Sequence, residues 1–267
     1  MKNFRSWRSY HCFEQEVKRK NRYFYDLDVK DFLQTVLETG KSREEILKDG
    51  KILWRSQLGN DWDPYHKEDK YIGSVSCAFK PKRMKPPKNT ASEGRANPKG
   101  IPYLYLSTDK NTAMAEVRPW VGSCISLAQF KILRDVTIIN CSSDDKSTTI
   151  YLKEPKPEER IIAVWRDIDK AFSRPVTQNE SIADYVPTQI IAELFKKNGF
   201  DGIAYRSSLG EGHNIVLFDL NVADLINCTL YETTKITFKF DQSSTTSFNS
   251  KYYKKNGTFV KVKENQN

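Results

Sequence analysis

Histidine, paired cysteine and long apolar runs are what this sequence has least of. Its 267 residues include three histidines, His11, His66 and His213, and five scattered cysteines, none in CxxC spacing. No spacing supports a His-based zinc site or a Ser-His-Asp triad, and an odd, dispersed set of thiols reads as reduced and mostly buried rather than as a disulfide framework. Nothing approaches the about 18 consecutive apolar residues of a membrane span, and the start "MKNFRSWRSYHCFEQEVKRK" lacks the unbroken apolar core of a secretory signal. The expectation is a soluble, cytoplasmic chain with no membrane contact. Two phosphate signatures are also missing, GxGxxG after a strand and GxxxxGK[ST]. Any nucleotide must then be held by side chains, chiefly arginines.

What is present is a globular composition, 38% hydrophobic and 12% aromatic, with 43 Lys and Arg against 34 Asp and Glu for a formal charge of +9. That excess suits an anionic partner of any kind: nucleic acid, an acidic protein or a dinucleotide. Part of it lies near the ends, in "EVKRKNRY" and "KYYKKNGTFVKVK", and part in "KPKRMKPPK", where a solvated surface is the plainer reading.

Along the chain, "EQEVKRKNRYFYD", "DVKDFLQTVLETG" and "SREEILKDG" read as helices, the last opened by a Ser42 to Glu45 capping box. Residues 1–49 form a helical N-terminal extension on this reading, and the apolar stripe of its second helix must be covered by the rest of the chain or by a partner. "KILWRSQL" is the first strand of the main domain, and residues 59–100 are mostly loop. "YLYLS", "CISLAQFKI", "VTIIN", "DGIAYRS" and "NIVLFD" are strands. "TDKNTAMAEVR", "PEERIIAVWRDIDKAF" and "PTQIIAELFKKNG" are helices. The mixed order predicts an α+β fold, with a main domain over 50–235 and a C-terminal β or tail segment over 236–267.

The stretch "GRANPKGIPYLYLSTDKNTAMAEVRPW" crowds polar and aromatic groups around one strand and one short helix. Glu116 falls in the last helical turn, where the macrodipole disfavours an anion by about 0.3–1 kcal/mol. Such a local conflict sometimes marks a site, although Arg118 or Lys110 can equally neutralise a surface carboxylate. Tyr103 and Tyr105 share one face of their strand, either lining a pocket or packing as half-buried surface. Arg95 sits in a turn, able to reach a phosphate or a carbonyl. Arg55, flanked by Leu53 and Trp54 in an otherwise apolar strand, needs an anionic partner if it points inward.

Taken together, "LWRSQLG" (53–59), "PP" (86–87), "GRANPKGIPYLYLSTDKNTAMAEVRP" (94–119), and "VPTQIIAELFKKNGFDGIAYRSS" followed by "HNIVLF" (186–218) resemble the RES domain, a family named for an Arg, a Glu and a Ser and found as toxins of bacterial toxin-antitoxin pairs. The resemblance implies a compact fold like that of ADP-ribosyltransferase toxins, with a mixed β-sheet core flanked by helices. It also implies NAD+ as the substrate, cleaved at its nicotinamide glycosidic bond with phosphate or water as acceptor. Carried over residue by residue, the named triad falls on Arg55, Glu116 and Ser207, with Tyr105 as aromatic companion and Arg95 as second basic contact. Trp54 stands where many relatives have Tyr or Phe, and Tyr103 and Asn214 complete the expected substrate contacts.

The chemistry suits these types. A carboxylate such as Glu116 can stabilise the oxocarbenium-like ribose left by nicotinamide, arginine can bind pyrophosphate through paired hydrogen bonds, and an aromatic can stack on nicotinamide. No metal is required, since quaternised nicotinamide already leaves well. The partners implied are NAD+, inorganic phosphate, an antitoxin protein and, as a further option, a second copy of the chain. Two alternatives stay open: transfer of ADP-ribose to a protein, and a non-catalytic basic protein that binds nucleic acid, although no RNP motif or helix-turn-helix is present.

Overall fold

A computed structural model describes residues 2–87, 90–144, 151–174, 182–238 and 240, together with the strand residues 252–255 and 258–261. The chain divides into two compact units, residues 1–234 and 235–267. In chain order the first unit holds helices α1 (Ser9–Arg19) and α2 (Leu27–Gly40), strands β1 (Glu44–Leu47), β2 (Ile52–Leu58), β3 (Asp61–Lys67) and β4 (Lys70–Cys77), and the short helix α3 (Pro81–Met84). Then come β5 (Leu104–Ser107), α4 (Lys110–Glu116), β6 (Cys124–Ile132), β7 (Val136–Asn140), α5 (Pro157–Ser173), α6 (Val186–Lys197), β8 (Gly202–Arg206), β9 (His213–Leu217) and β10 (Ala223–Glu232). In the second unit β11 (Tyr252–Lys255) and β12 (Thr258–Lys261) pair antiparallel.

Eight strands form one mixed sheet in the order β1-β7-β8-β9-β5-β2-β6-β10, antiparallel throughout except for the parallel pair β7–β8. Parallel neighbours need a crossover, and the segment carrying α5 and α6 supplies it. The α+β class expected from the mixed order of elements is the class observed. Alternation along the central strands buries both faces. On β5, Leu104 and Leu106 enter one core while Tyr105, with Tyr103 just ahead of the strand, turns to the other; on β9, Ile215 and Leu217 separate from Val216 in the same way. The tyrosine face is covered by α1, α2, α5 and α6, whose Phe13, Phe32, Trp165, Phe172 and Phe195 meet Ile203 and Tyr205. On the other face Leu53 and Phe130 share a cluster with Ile138, Ala204 and Ile215.

The stripe on α2 is thus covered within the chain: Val29, Phe32, Leu33 and Val36 belong to the main core. Three sequence expectations fail here. The helix read over "EQEVKRKNRYFYD" begins earlier, at Ser9, and ends at Arg19, so the aromatic half of that stretch lies outside it. The helix predicted from the Ser42 to Glu45 spacing is a single 3-10 turn followed by edge strand β1. Ser42 Oγ donates to the Thr39 carbonyl and Glu45 accepts from Asn140, so neither side chain caps a helix and pairing with β7 wins. The expected loop over 59–100 contains the β3–β4 hairpin, paired only with itself. Trp62, Tyr65, Tyr71, Ile72 and Val75 are exposed on it. Because neither face of the ribbon is buried, the alternation that announces a strand is missing. Among the described residues no helix is long and apolar enough to cross a membrane.

Candidate active site

The cleft exists because two neighbouring strands part. β2 and β5 pair only at Trp54 and Ser107; continuing that register would set Ser56 opposite Tyr105. Instead the strands diverge, and Arg55 spans the gap, its Nη1 donating to the Tyr105 carbonyl at 3.0 Å. Its Nε is buried without a hydrogen-bond partner among the described residues, as is Ser56 Oγ. Burial disfavours the charged guanidinium and pulls its pKa down to about 10, so it stays a cation at neutral pH. Among the described residues the inward arginine bonds a carbonyl and no carboxylate, which leaves it able to serve an anion from outside.

Glu116 ends α4, whose N-cap Asp109 accepts from Thr112 N at 2.8 Å. Beyond it the backbone turns sharply, with Arg118 at φ 49° ahead of Pro119. At that end of the helix the macrodipole opposes a carboxylate, and two donors offset it: Ser207 Oγ at 2.6 Å and Asn214 Nδ2 at 2.7 Å, both on Glu116 Oε1. Ser207 follows β8 and Asn214 lies on β9. The loop between them is clasped to α4, where Gly212 N donates to Thr112 Oγ1 at 3.1 Å. At Gly210 a Cβ would come within 2.4 Å of the same oxygen, so only glycine allows this approach.

Between these walls is a cavity of about 180 Å³ that includes Trp54, Arg55, Tyr105, Glu116, Tyr205 and Asn214 in its lining. A smaller hollow of about 80 Å³ shares Glu116, Tyr205 and Asn214 and adds Arg95, Arg118, Arg174 and Arg206. The structure therefore brings Arg55, Trp54, Tyr105, Glu116 and Asn214 to one cleft, with Ser207 behind Glu116. Arg95 stands apart from Arg55. Its Nη1 donates to the Ala171 carbonyl at 3.2 Å, its Nη2 to the Arg174 carbonyl, and it lies over the Tyr185 ring. It closes the end of α5. Tyr103 is 2% exposed, packed on Phe218, with Lys196 over its ring.

Tyr105 presents its ring to the cleft while its hydroxyl is engaged elsewhere, donating to Asn97 Oδ1 at 2.7 Å and accepting from Ala96 N at 2.9 Å. Gly94 passes so close that a Cβ would lie 2.6 Å from that hydroxyl. The crowding of the segment over 94–120 thus has a local cause: its loop is built round the Tyr105 phenol. Burial pushes the phenols of Tyr105 and Tyr205 well up, keeping both neutral.

Sequence reasoning missed three groups. Gln189 Nε2 donates to the carbonyls of Gly94 and Asn97, both at 3.0 Å, and Thr188 Oγ1 to that of Arg95 at 2.6 Å, which ties the loop to α6. Tyr205 lines both hollows, a position its alternation in "DGIAYRS" was able to show. Arg206 is paired with Asp169, a fully buried carboxylate on α5. Among the described residues no group of three His, Cys, Asp or Glu is placed to hold a metal ion. A further cavity of about 340 Å³ over α1 and α2, floored by Phe13 and Phe32, shares no residue with the cleft.

The family model for the RES domain matches residues 65–241. The chain belongs to the RES domain family. Trp54 and Arg55 precede the matched stretch and reach the RES domain cleft through β2, while Tyr105, Glu116, Ser207 and Asn214 lie within it. No curated protein matches the chain. Among solved structures, a chain of the crystal structure of the M. tuberculosis MbcT-MbcA toxin-antitoxin complex aligns with 11% identity and a TM-score of 0.38, over 74% of this chain and 92% of that one. A likeness of that degree carries no argument about this RES domain.

Proposed function

We propose that this RES domain protein consumes NAD+, breaking the bond between nicotinamide and ribose C1′ and passing the ADP-ribosyl group to phosphate or water. The observation that carries the reading is a carboxylate and a half-buried guanidinium lining one cleft, the guanidinium keeping a buried Nε with no partner among the described residues. Glu116 is aimed by Ser207 and Asn214, and Arg55 faces it from the parted strands. The bonding pair leaves with the nicotinamide nitrogen, which becomes neutral. Glu116 stabilises the positive ribose that remains until an acceptor oxygen closes on C1′. Arg55 holds phosphate oxygens of the substrate, while Trp54 and Tyr105 offer flat faces to the departing ring and exclude water.

The same reading makes the protein the toxin of a toxin-antitoxin pair, restrained by a protein that covers the cleft. Incubation with NAD+, with and without phosphate, tests the chemistry. Free nicotinamide is expected, together with ADP-ribose or its 1′-phosphate by mass spectrometry. Intact NAD+ at high enzyme concentration, with phosphate and protein acceptors supplied, overturns it. ADP-ribose found on a protein would move the activity to transfer.

A further inference from the structure

In the first unit the β3–β4 ribbon stands apart from the eight-stranded sheet, its two strands paired only with each other. A two-stranded ribbon with no covered face is marginal in water, and this one leaves Trp62, Tyr65, Tyr71, Ile72 and Val75 about half exposed or more. An apolar surface of that kind marks a contact with another molecule.

The register sorts the ribbon into two faces. Asp61, Asp63, Tyr65 and Lys67 alternate along β3 and stand opposite Cys77, Val75, Gly73 and Lys70 on β4. Desolvation first, and then the carboxylates of Asp63 and Asp61, raise the Cys77 thiol, as one shared face requires. That face runs from two carboxylates at the base, through a tyrosine and a valine, to two lysines at the tip. Lys67 and Lys70 are directly opposed, an unfavourable pair, and no ion pair relieves either of them among the described residues. Glu68 and Asp69 make the turn, both in the left-handed region at φ 48° and 61°, and lie outside the alternation of the strands. At the base Lys80 is 3.5 Å from Asp63, an exposed pair that water weakens.

The opposite face carries Trp62, Pro64, His66, Tyr71, Ser74 and Ser76, with no Lys, Arg, Asp or Glu among them. It is tied to itself, since Tyr71 packs edge-on to His66 at 5.8 Å and its hydroxyl meets Ser74 Oγ at 3.0 Å. Nothing on it could fix the register of a partner by charge. Two copies of a +9 chain repel overall, so a contact between them has to offset charge locally.

A face that is acidic at one end, basic at the other and apolar between is complementary to its own reverse. Laid together antiparallel about a two-fold axis, two such faces set the lysines of each tip on the carboxylates of the other base. Tyr65 of each then meets Gly73 of the partner subunit, where even an added Cβ would touch nothing within 4 Å. We infer that the Tyr65 face of the ribbon is a dimer contact, and that its occupant is the same face of a second copy of this chain. The ribbon is about 23 Å long, so the contact is small beside roughly 800 Å² per partner in a standard interface. The dimer should therefore exchange with monomer, with Kd on the order of 10 µM.

Sedimentation velocity of the full chain from about 1 to 200 µM tests this, and none of its readouts depends on the NAD+ reading. Wild type is expected to pass from monomer to dimer over that range, less readily as salt rises. Lys67→Glu with Lys70→Glu keeps a like pair at the tip, so the ribbon's own balance holds, but it sets acid on acid between copies. Self-association should weaken about tenfold or more. Asp61→Lys with Asp63→Lys should do the same, and the two variants mixed should associate again, since each supplies the charge that the other lacks. Tyr65→Ser should weaken the dimer about tenfold, whereas Trp62→Ser, on the opposite face, should leave it within about twofold. A wild type that stays monomeric, self-association that the lysine exchange leaves unchanged, no recovery on mixing the two folded variants, or a loss with Trp62→Ser but not with Tyr65→Ser overturns the inference. Should the aspartate variant unfold in thermal melts, the lysine variant and Tyr65→Ser carry the measurement.

Discussion

On one side of Glu116, Arg206 is paired with the buried carboxylate of Asp169, and Arg95 with two carbonyls at the end of α5. On the other side, Arg55 gives one bond to a carbonyl and keeps a buried nitrogen without a partner among the described residues. The same side chain serves opposite ends. Arginines already bonded to buried or helix-end acceptors should show their loss in stability. On the proposed reading, the arginine left short of acceptors serves a ligand, and its loss should be read in binding. Glu116 lies between the two and touches neither network, so it should be read in rate alone.

Glu116→Gln makes the largest break. The amide oxygen can still accept from Ser207 and Asn214, so the fold should hold while turnover falls about 10² to 10³-fold. Steady-state nicotinamide release beside thermal melts checks this, and full activity would remove Glu116 from the mechanism. Asp169→Asn should act on the other wall, costing about 3 kcal/mol in denaturant melts. That is the low end for a broken buried pair, since Arg206 keeps some water. An unchanged midpoint would show that this wall is not held by its charges.

Arg55→Lys sharpens the contrast, because it keeps the charge and loses the fork. Affinity for ADP should fall about tenfold with stability nearly unchanged. In the wild type, the lowered pKa gives a pH signature with a definite sign. ADP binding should fade as pH rises through about 10. Over the same range this group's contribution to stability should grow, because the unfolded chain, with its higher pKa, binds the proton that the folded one has lost. Titration calorimetry and melts between about pH 8 and 11, which bracket that pKa, separate the two trends. The smallest effect belongs to Ser207→Ala. Asn214 still holds Glu116, so the cost should be about 1 kcal/mol, near fivefold in kcat with KM unmoved.

How much of this was legible depended on whether one face of an element was buried. The strands β5 to β9 and the helices α2, α5 and α6 follow their apolar periods because they pack on a core. The β3–β4 ribbon has no buried face, and Pro64 and its charges read as loop; β1 looked helical because Ser42 and Glu45 fit a cap that the edge of the sheet overrides. In the site, Glu116 showed as a conflict with its helix and Arg55 as a cation in an apolar strand, and both conflicts have structural answers. Arg95 could not be placed that way, since a turn leaves the direction of its guanidinium open. Asp169 and Arg206 were invisible together: each is ordinary alone, and they lie 37 residues apart.

The hydrogen bonds that aim Glu116 reach across 91 residues to Ser207 and 98 to Asn214. A chain leaves the ribosome from its N-terminus, and contacts between distant segments form only once both have emerged. Arg55, the Tyr105 loop and α4 can all be outside while the carboxylate still lacks its two donors and the cleft its β8 and β9 wall. Any chemistry that needs Glu116 aimed by both donors therefore waits until β8 and β9 have followed the rest of the cleft out.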